Sequence, residues 1–98
     1  MAATFELRRF PMADQIWQVS VAFTEEGDRT RADATLELSD ERFHGFGQAK
    51  RAPGDPNRPV IGHDLAAARA LSDLSHQLLH AAASRIEEFE GRAVKVHG

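Results

Sequence analysis

Few residues of this chain are equipped for chemistry. Asp73, His76 and His80 recur at spacings of three and four, which on a helix places them on one face. Two imidazoles one turn apart with a carboxylate beside them make a workable zinc arrangement. A catalytic metal also needs an enclosed pocket and a general base, whereas this face points to solvent. Two surface histidines are the plainer reading, and no metal or cofactor is expected. His63 and Asp64 form a second pair, equally suited to a helix start. The serines (Ser20, Ser39, Ser72, Ser75, Ser84) lie in no nucleophile-elbow motif. Gly45-Phe46-Gly47 opens no helix, so it is not a dinucleotide fingerprint, and no glycine-rich loop cradles phosphate. With no cysteine there is no thiol nucleophile, thiolate metal site or disulfide. These residues argue against an enzyme.

The elements that position these side chains follow from hydrophobic periodicity. Ile16 to Phe23 alternates, with Trp17, Val19, Val21 and Phe23 on one face, as a sheet with one buried face requires. Glu25-Glu26-Gly27-Asp28 turns the chain, with glycine where positive φ is needed. A second strand, Arg29 to Leu38, sets Ala32, Ala34, Leu36 and Leu38 against Arg31, Asp33, Thr35 and Glu37. A third, from Arg42 to Arg51, carries Phe43, Gly45, Gly47 and Ala49 on one side and His44, Phe46, Gln48 and Lys50 on the other. A short hairpin about Glu26-Gly27 sets Val21 opposite Ala32 and Val19 opposite Ala34. A tight second one sets Leu36 opposite Gly45 and Ala34 opposite Gly47. Every apolar side chain then falls on one face. Gly45 and Gly47 weaken a strand unless another backbone approaches closely, so the helix is expected to cross there.

Ala52 to Gly62 reads as a stiff loop, because Pro53, Pro56 and Pro59 remove amide donors. A helix follows from His63 or Asp64 to Glu90. Its apolar stripe is Ala68, Leu71, Leu74, Leu78, Leu79, Ala82, Ile86 and Phe89. At about 1.5 Å per residue this helix is roughly 40 Å long and overhangs a sheet of roughly 27 Å. Its last two turns, with Ile86 and Phe89, need another apolar partner. The reading is an α+β fold: a three-stranded antiparallel sheet with one long C-terminal helix on one face. Residues 16–91 form this single domain. Residues 1–15 make an N-terminal arm holding Phe5, Leu7, Phe10 and Met12, and 92–98 a tail or short edge strand.

The 98 residues have ordinary globular composition, with 42% apolar and 28% charged side chains. No apolar run reaches the roughly 20 residues that span a bilayer, and Met1 to Met12 has no signal-peptide pattern, so no membrane partner and a cytoplasmic location are expected. The net charge of −3 speaks against a dedicated duplex-binding module. One basic cluster stands out. If Arg31 faces Lys50, then Arg29, Arg31, Lys50 and Arg51 gather at one end of the sheet, with Arg58 near on the loop. Such a group could meet the phosphates of ribosomal RNA. A solvated sheet edge that deters aggregation accounts for it as simply. Phe46 is the single large aromatic on the polar face. A nucleobase platform presents two or three, so cover by the N-terminal segment or a second subunit fits better. Glu37 opposite His44 is read as a cross-strand pair.

From Trp17 onward the chain resembles a family of short actinobacterial proteins with a fold like the double-stranded-RNA-binding domain. The segments that carry the resemblance are Asp28-Arg29-Thr30-Arg31-Ala32, Gly45-Phe46-Gly47-Gln48-Ala49, Asp55-Pro56-Asn57-Arg58-Pro59-Val60-Ile61-Gly62 and Leu65-Ala66-Ala67-Ala68-Arg69-Ala70-Leu71-Ser72-Asp73-Leu74. Members are mostly of unknown function. Some look like stress or dormancy proteins, form homodimers and have been likened in shape to ribosome hibernation factors. The resemblance therefore implies a sheet crossed by one long helix, and the ribosome as a candidate partner. RNA-binding members of the wider fold carry a lysine-rich start to the last helix. Gly62-His63-Asp64-Leu65 stands there instead, which argues against duplex RNA.

Three functions remain in play. The first is a non-enzymatic stress or dormancy protein that meets the ribosome through Arg29, Arg31, Lys50, Arg51 and Arg58. The second is a homodimeric protein–protein module with no nucleic-acid partner, joined through Phe46, Ile86 and Phe89. The third is a metal or small-ligand binder using Asp73, His76 and His80.

Overall fold

A computed structural model describes residues 14–52, 54 and 59–90. Three antiparallel strands, β1 (Val19–Glu26), β2 (Arg29–Glu37) and β3 (Arg42–Lys50), form one sheet in the order β1-β2-β3, and a single helix, α1 (Pro59–Glu90), lies across it. The α+β architecture is the one that the periodicity requires. Arg58, the N-terminal arm and residues 92–98 lie outside the described residues.

Both hairpins are displaced by two residues from the expected pairing. Val21 faces Ala34 and Phe23 faces Ala32, while Ala34 faces Gly45 and Ala32 faces Gly47. The turns decide this. Gly27, at φ 58°, takes the first position of a two-residue turn with Asp28, the position that a type II′ hairpin reserves for positive φ. The second connection is a four-residue loop closed by the Leu38 amide donating to the Glu41 carbonyl at 2.8 Å. A shift of two keeps every side chain on its face, so the expected division of the sheet survives. β1 also begins at Val19 rather than Ile16 and continues to Glu26.

The helix starts at Pro59, several residues before His63. A proline at the first helical position lacks only an amide that the helix would leave unpaired, and its fixed φ suits the turn. Pro59 therefore opens the helix rather than prolonging the loop.

α1 packs on β3 and β2 at the two glycines. A Cβ on Gly45 would lie 2.3 Å from the Leu74 amide nitrogen, and one on Gly47 2.5 Å from that of Ala70. Opposite them the helix presents Ala66, Ala70 and Leu74, which are buried with Ala32, Ala34, Leu36 and Ala49. This line is rotated roughly 100° from the centre of the expected apolar stripe, and Leu74 alone belongs to both. Small residues win the contact because only they let two backbones meet at this distance. The result is a thin core in which Leu36 is the one large side chain wholly buried among the described residues.

Gly45→Ala should therefore lower the urea unfolding free energy by about 3 kcal/mol or more, since a backbone must move to admit the methyl. Gly27→Ala, with nothing within 4 Å of its Cβ, should cost only the roughly 1–2 kcal/mol of a left-handed non-glycine residue. Equal losses would contradict this packing.

Candidate functional site

The face of the sheet turned away from α1 is polar. At its centre Asp33 accepts hydrogen bonds from Arg31 Nε at 3.1 Å and from the terminal guanidinium nitrogen at 3.0 Å. His44 Nε2 lies 2.7 Å from the same carboxylate. The guanidinium of Arg31 stacks over Phe46, 4.4 Å from the ring centroid. The strand pleat aims Arg31 and Asp33 to one side, and pairing of β2 with β3 brings His44 and Phe46 beside them. Hydrogen bonding to Arg31, and then to His44, holds the Asp33 carboxyl below the usual carboxylate range, and the Arg31 guanidinium is held correspondingly above its own. This arrangement is a surface network built on the Arg31–Asp33 ion pair.

The expected basic cluster is thereby divided. Arg31 faces Gln48, not Lys50, and is committed to Asp33 and Phe46. Arg29 faces Lys50, and Arg51 follows, its amide donating to the Asp28 carbonyl at 2.8 Å. Three cations thus remain together beside the first turn. His44 faces Thr35 and is bound by Asp33, whereas Glu37 faces Arg42 at 3.7 Å, so the expected Glu37–His44 pair does not form.

On the helix, Asp73 is drawn to the sheet. Its carboxylate accepts the Phe46 amide at 3.0 Å, and Arg69 donates to the Gln48 carbonyl at 2.6 Å. These backbone groups face outward from edge strand β3, and the two side chains cap them. The capping was legible only as a polar pair one turn apart on the helix, without its purpose. Among the described residues no three His, Asp, Glu or Cys side chains are placed to hold a metal, so Asp73, His76 and His80 are not brought together as one. His63 packs on the ring of Phe23, 4.6 Å between centroids, and lies 3.7 Å from Glu25. A hollow of about 470 Å³ at the start of β1, lined by Ile16, Trp17, Ser20, Thr35, Glu37 and Leu38, holds no acid–base pair.

The more conspicuous feature is apolar. Arg69 and Asp73 mark the flank of α1 toward the outer edge of β3, and Ala66, Ala70 and Leu74 mark the side on the sheet. The next line around the helix, with Leu71 and Leu78, therefore faces the β1 side. There the sheet is open except where His63 rests on Phe23. Val19 and Phe23 remain exposed, Val21 is half-buried, and Leu71 is 43% accessible. Beyond the sheet, where Arg85 pairs with Glu41, the helix continues to Phe89, which is 92% accessible. Ile86 is half-buried on the same overhang. Phe46 lies on the opposite face of the sheet under Arg31, so it forms no common surface with Ile86 and Phe89. Val19, Phe23, Ile61, Leu65 and Leu71 take its place in the exposed apolar set. Their exposure is the counterpart of the rotated helix contact.

A family profile of Rv2632c-like proteins matches residues 15–95. The chain belongs to the Rv2632c-like family. Within that family it is 43% identical over 70 residues to the uncharacterized protein Rv2632c of Mycobacterium tuberculosis (strain ATCC 25618 / H37Rv), a match covering 71% of this chain and 75% of that one. It is 40% identical over 73 residues to the uncharacterized protein MT1780 of Mycobacterium tuberculosis (strain CDC 1551 / Oshkosh), covering 74% and 78%. The crystal structure of Rv2632c superposes with a TM-score of 0.75 at 38% identity, covering 82% of this chain and 95% of that one. The fold of the Rv2632c-like chain is thus shared with a solved relative. Among its described residues no helix is long and apolar enough to cross a membrane.

A carboxyl whose pKa is lowered by folding stabilises the fold above its ordinary pKa, and that contribution fades as pH falls through the lowered value. Asp33→Asn should therefore be less stable than the native chain in urea at neutral pH, with the gap closing as the pH falls below the ordinary carboxylate range. A gap unchanged at low pH would show that the network does not depend on the carboxylate charge.

Proposed function

We propose that the protein is a non-enzymatic, cytoplasmic interaction module that works as a homodimer. The observation that carries this reading is the rotation of α1. The helix seats Ala66, Ala70 and Leu74 on its own sheet and leaves Leu65 and Leu71 exposed, beside a strand whose Val19 and Phe23 are exposed as well. Contiguous exposed apolar surface of this kind marks an interaction site in a folded protein. Ile86 and Phe89 extend the same surface beyond the sheet.

A second reading is association with ribosomal RNA in stress or dormancy, as implied by the family resemblance. It is favoured by Arg29 and Lys50 paired across β2 and β3 with Arg51 adjacent. The pairing of Arg31 with Asp33 weakens it, because a neutralised guanidinium offers little to a phosphate. The apolar surface makes the protein–protein reading the stronger.

In light scattering the native chain should show twice its monomer mass. Leu71→Asp should return the monomer mass with its helical circular dichroism intact, since Leu71 is 43% accessible and its replacement spares the core. A native chain of monomer mass throughout the accessible concentration range would refute this reading. Co-sedimentation with bacterial ribosomes at roughly 50 mM salt that is lost at roughly 300 mM would establish the second.

A further inference from the structure

The bare part of the sheet has a definite width. Strands lie about 4.8 Å apart, so β1 stands about 10 Å from β3, and a helix about 10 Å across whose backbone meets β3 at Gly45 and Gly47 leaves room for one more beside it over β1. That space is floored by Val19, Val21 and Phe23 and walled by Leu71 and Leu78 of α1. What fits it is a helix with a broad apolar side, and α1 itself is such a helix. The side of α1 turned away from its own sheet carries Ile61, Leu65, Ala68, Leu79 and Ile86. Its flank toward β1 carries Leu71, Ser75, Leu78, Ala82 and Phe89, with Asp64 in the first turns as its one charge and Arg85 at its border paired to Glu41, whereas the opposite flank carries Arg69, Asp73, His76 and His80.

We propose that the occupant is the α1 helix of a second copy, and that the two copies close face to face into a three-layer sandwich of sheet, helix pair and sheet. The proposal rests on the homodimer reading and adds its geometry. Each helix then fills the space over the partner's β1 and is covered above by the partner's sheet. Symmetry fixes the direction. The operation relating the copies must turn the sheet over while moving the helix sideways by one helix width. A two-fold axis running along the helices, between them, does both. An axis across the helices would superimpose them. The helices are therefore parallel, and both overhanging ends lie at the same end of the dimer, where Phe89 meets its counterpart. Leu71, Leu78, Ala82 and Phe89 follow one another at steps of seven, four and seven, the spacing of a seam between parallel helices.

The available surface is of the right size. At typical side-chain areas the exposed parts of Val19, Phe23, Ile61, Leu65, Leu71 and Phe89 amount to roughly 600 Å² per copy, before Val21, Leu78, Leu79 and Ile86 are counted. A specific interface of standard size takes about 800 Å² from each partner. The seam is self-complementary, as a two-fold interface has to be.

The chain contains no cysteine, so one introduced thiol reports alone. In the full-length protein Ala82→Cys places the thiol on the seam, facing its own counterpart across the axis. His76→Cys places it on the flank toward β3, away from the partner. Under mild oxidation A82C should become largely disulfide-linked dimer within minutes, while H76C stays reduced at least tenfold longer. Scattering mass is read in parallel. A dimeric A82C that links no faster than H76C would overturn the parallel face-to-face arrangement and leave the homodimer standing. A native chain of monomer mass would overturn both. If A82C itself is monomeric, Ser75→Cys, on the same seam, is substituted for it, and the same two outcomes decide.

Discussion

The structure depends on the approach of α1 to β3 at Gly45 and Gly47. Any Cβ at either site would stand within 2.5 Å of a backbone nitrogen of the helix, so the two elements meet main chain to main chain. That contact selects what faces it. Ala66 and Ala70 lie over the glycines because larger side chains would hold the helix off. Asp73 and Arg69 then fall within reach of the Phe46 amide and the Gln48 carbonyl, closing an edge that would otherwise present unpaired backbone groups. The same seating fixes what is left out. With α1 drawn over β3 and β2, the apolar side of β1 has no cover from that helix beyond the contact of His63 with Phe23.

Two surfaces of opposite character result. The face away from the helix is polar and internally satisfied, with Asp33 as the acceptor for Arg31 and His44 and with Phe46 roofed by a guanidinium. The face beneath the helix is apolar and half covered. A fold that buries mostly alanine and glycine gains little from removing area from water, since the hydrophobic contribution scales with apolar surface buried. Phe23, Leu65, Leu71 and Phe89, which would supply a larger gain, stand at the uncovered side. Association would bury them, which makes stability and self-recognition consequences of one arrangement.

The alternation along β2, β3 and the Val19–Phe23 part of β1 assigned side chains to their faces, and the two mid-strand glycines foretold where the helix crosses. Register was less legible, because the hydrophobic pattern repeats every two residues and a displacement of two leaves it unchanged. Only the turn at Gly27 carries that information, through the position at which positive φ is demanded. The contact face of α1 was misread because hydrophobicity was taken as the mark of burial. Opposite glycine, small size decides instead, and Leu71 and Leu78 are displaced to the flank. The stacking of Arg31 on Phe46 and its ion pair with Asp33 depend on which residues of β3 stand beside β2. The basic cluster expected of Arg31 with Lys50 therefore dissolved along with the register. Pro59 was legible as a break in the chain, yet not as the first residue of the helix that follows.

The central claim is that the bare half of the sheet is covered by the helix of a second copy. Isotope-filtered nuclear Overhauser spectroscopy on a mixture of labelled and unlabelled chains tests it directly. Transfer is predicted from Val19, Val21 and Phe23 of one copy to Ala68 and Leu79 of the other. Intermolecular transfer that instead involves Phe46 and the polar face, or none at all, would contradict it.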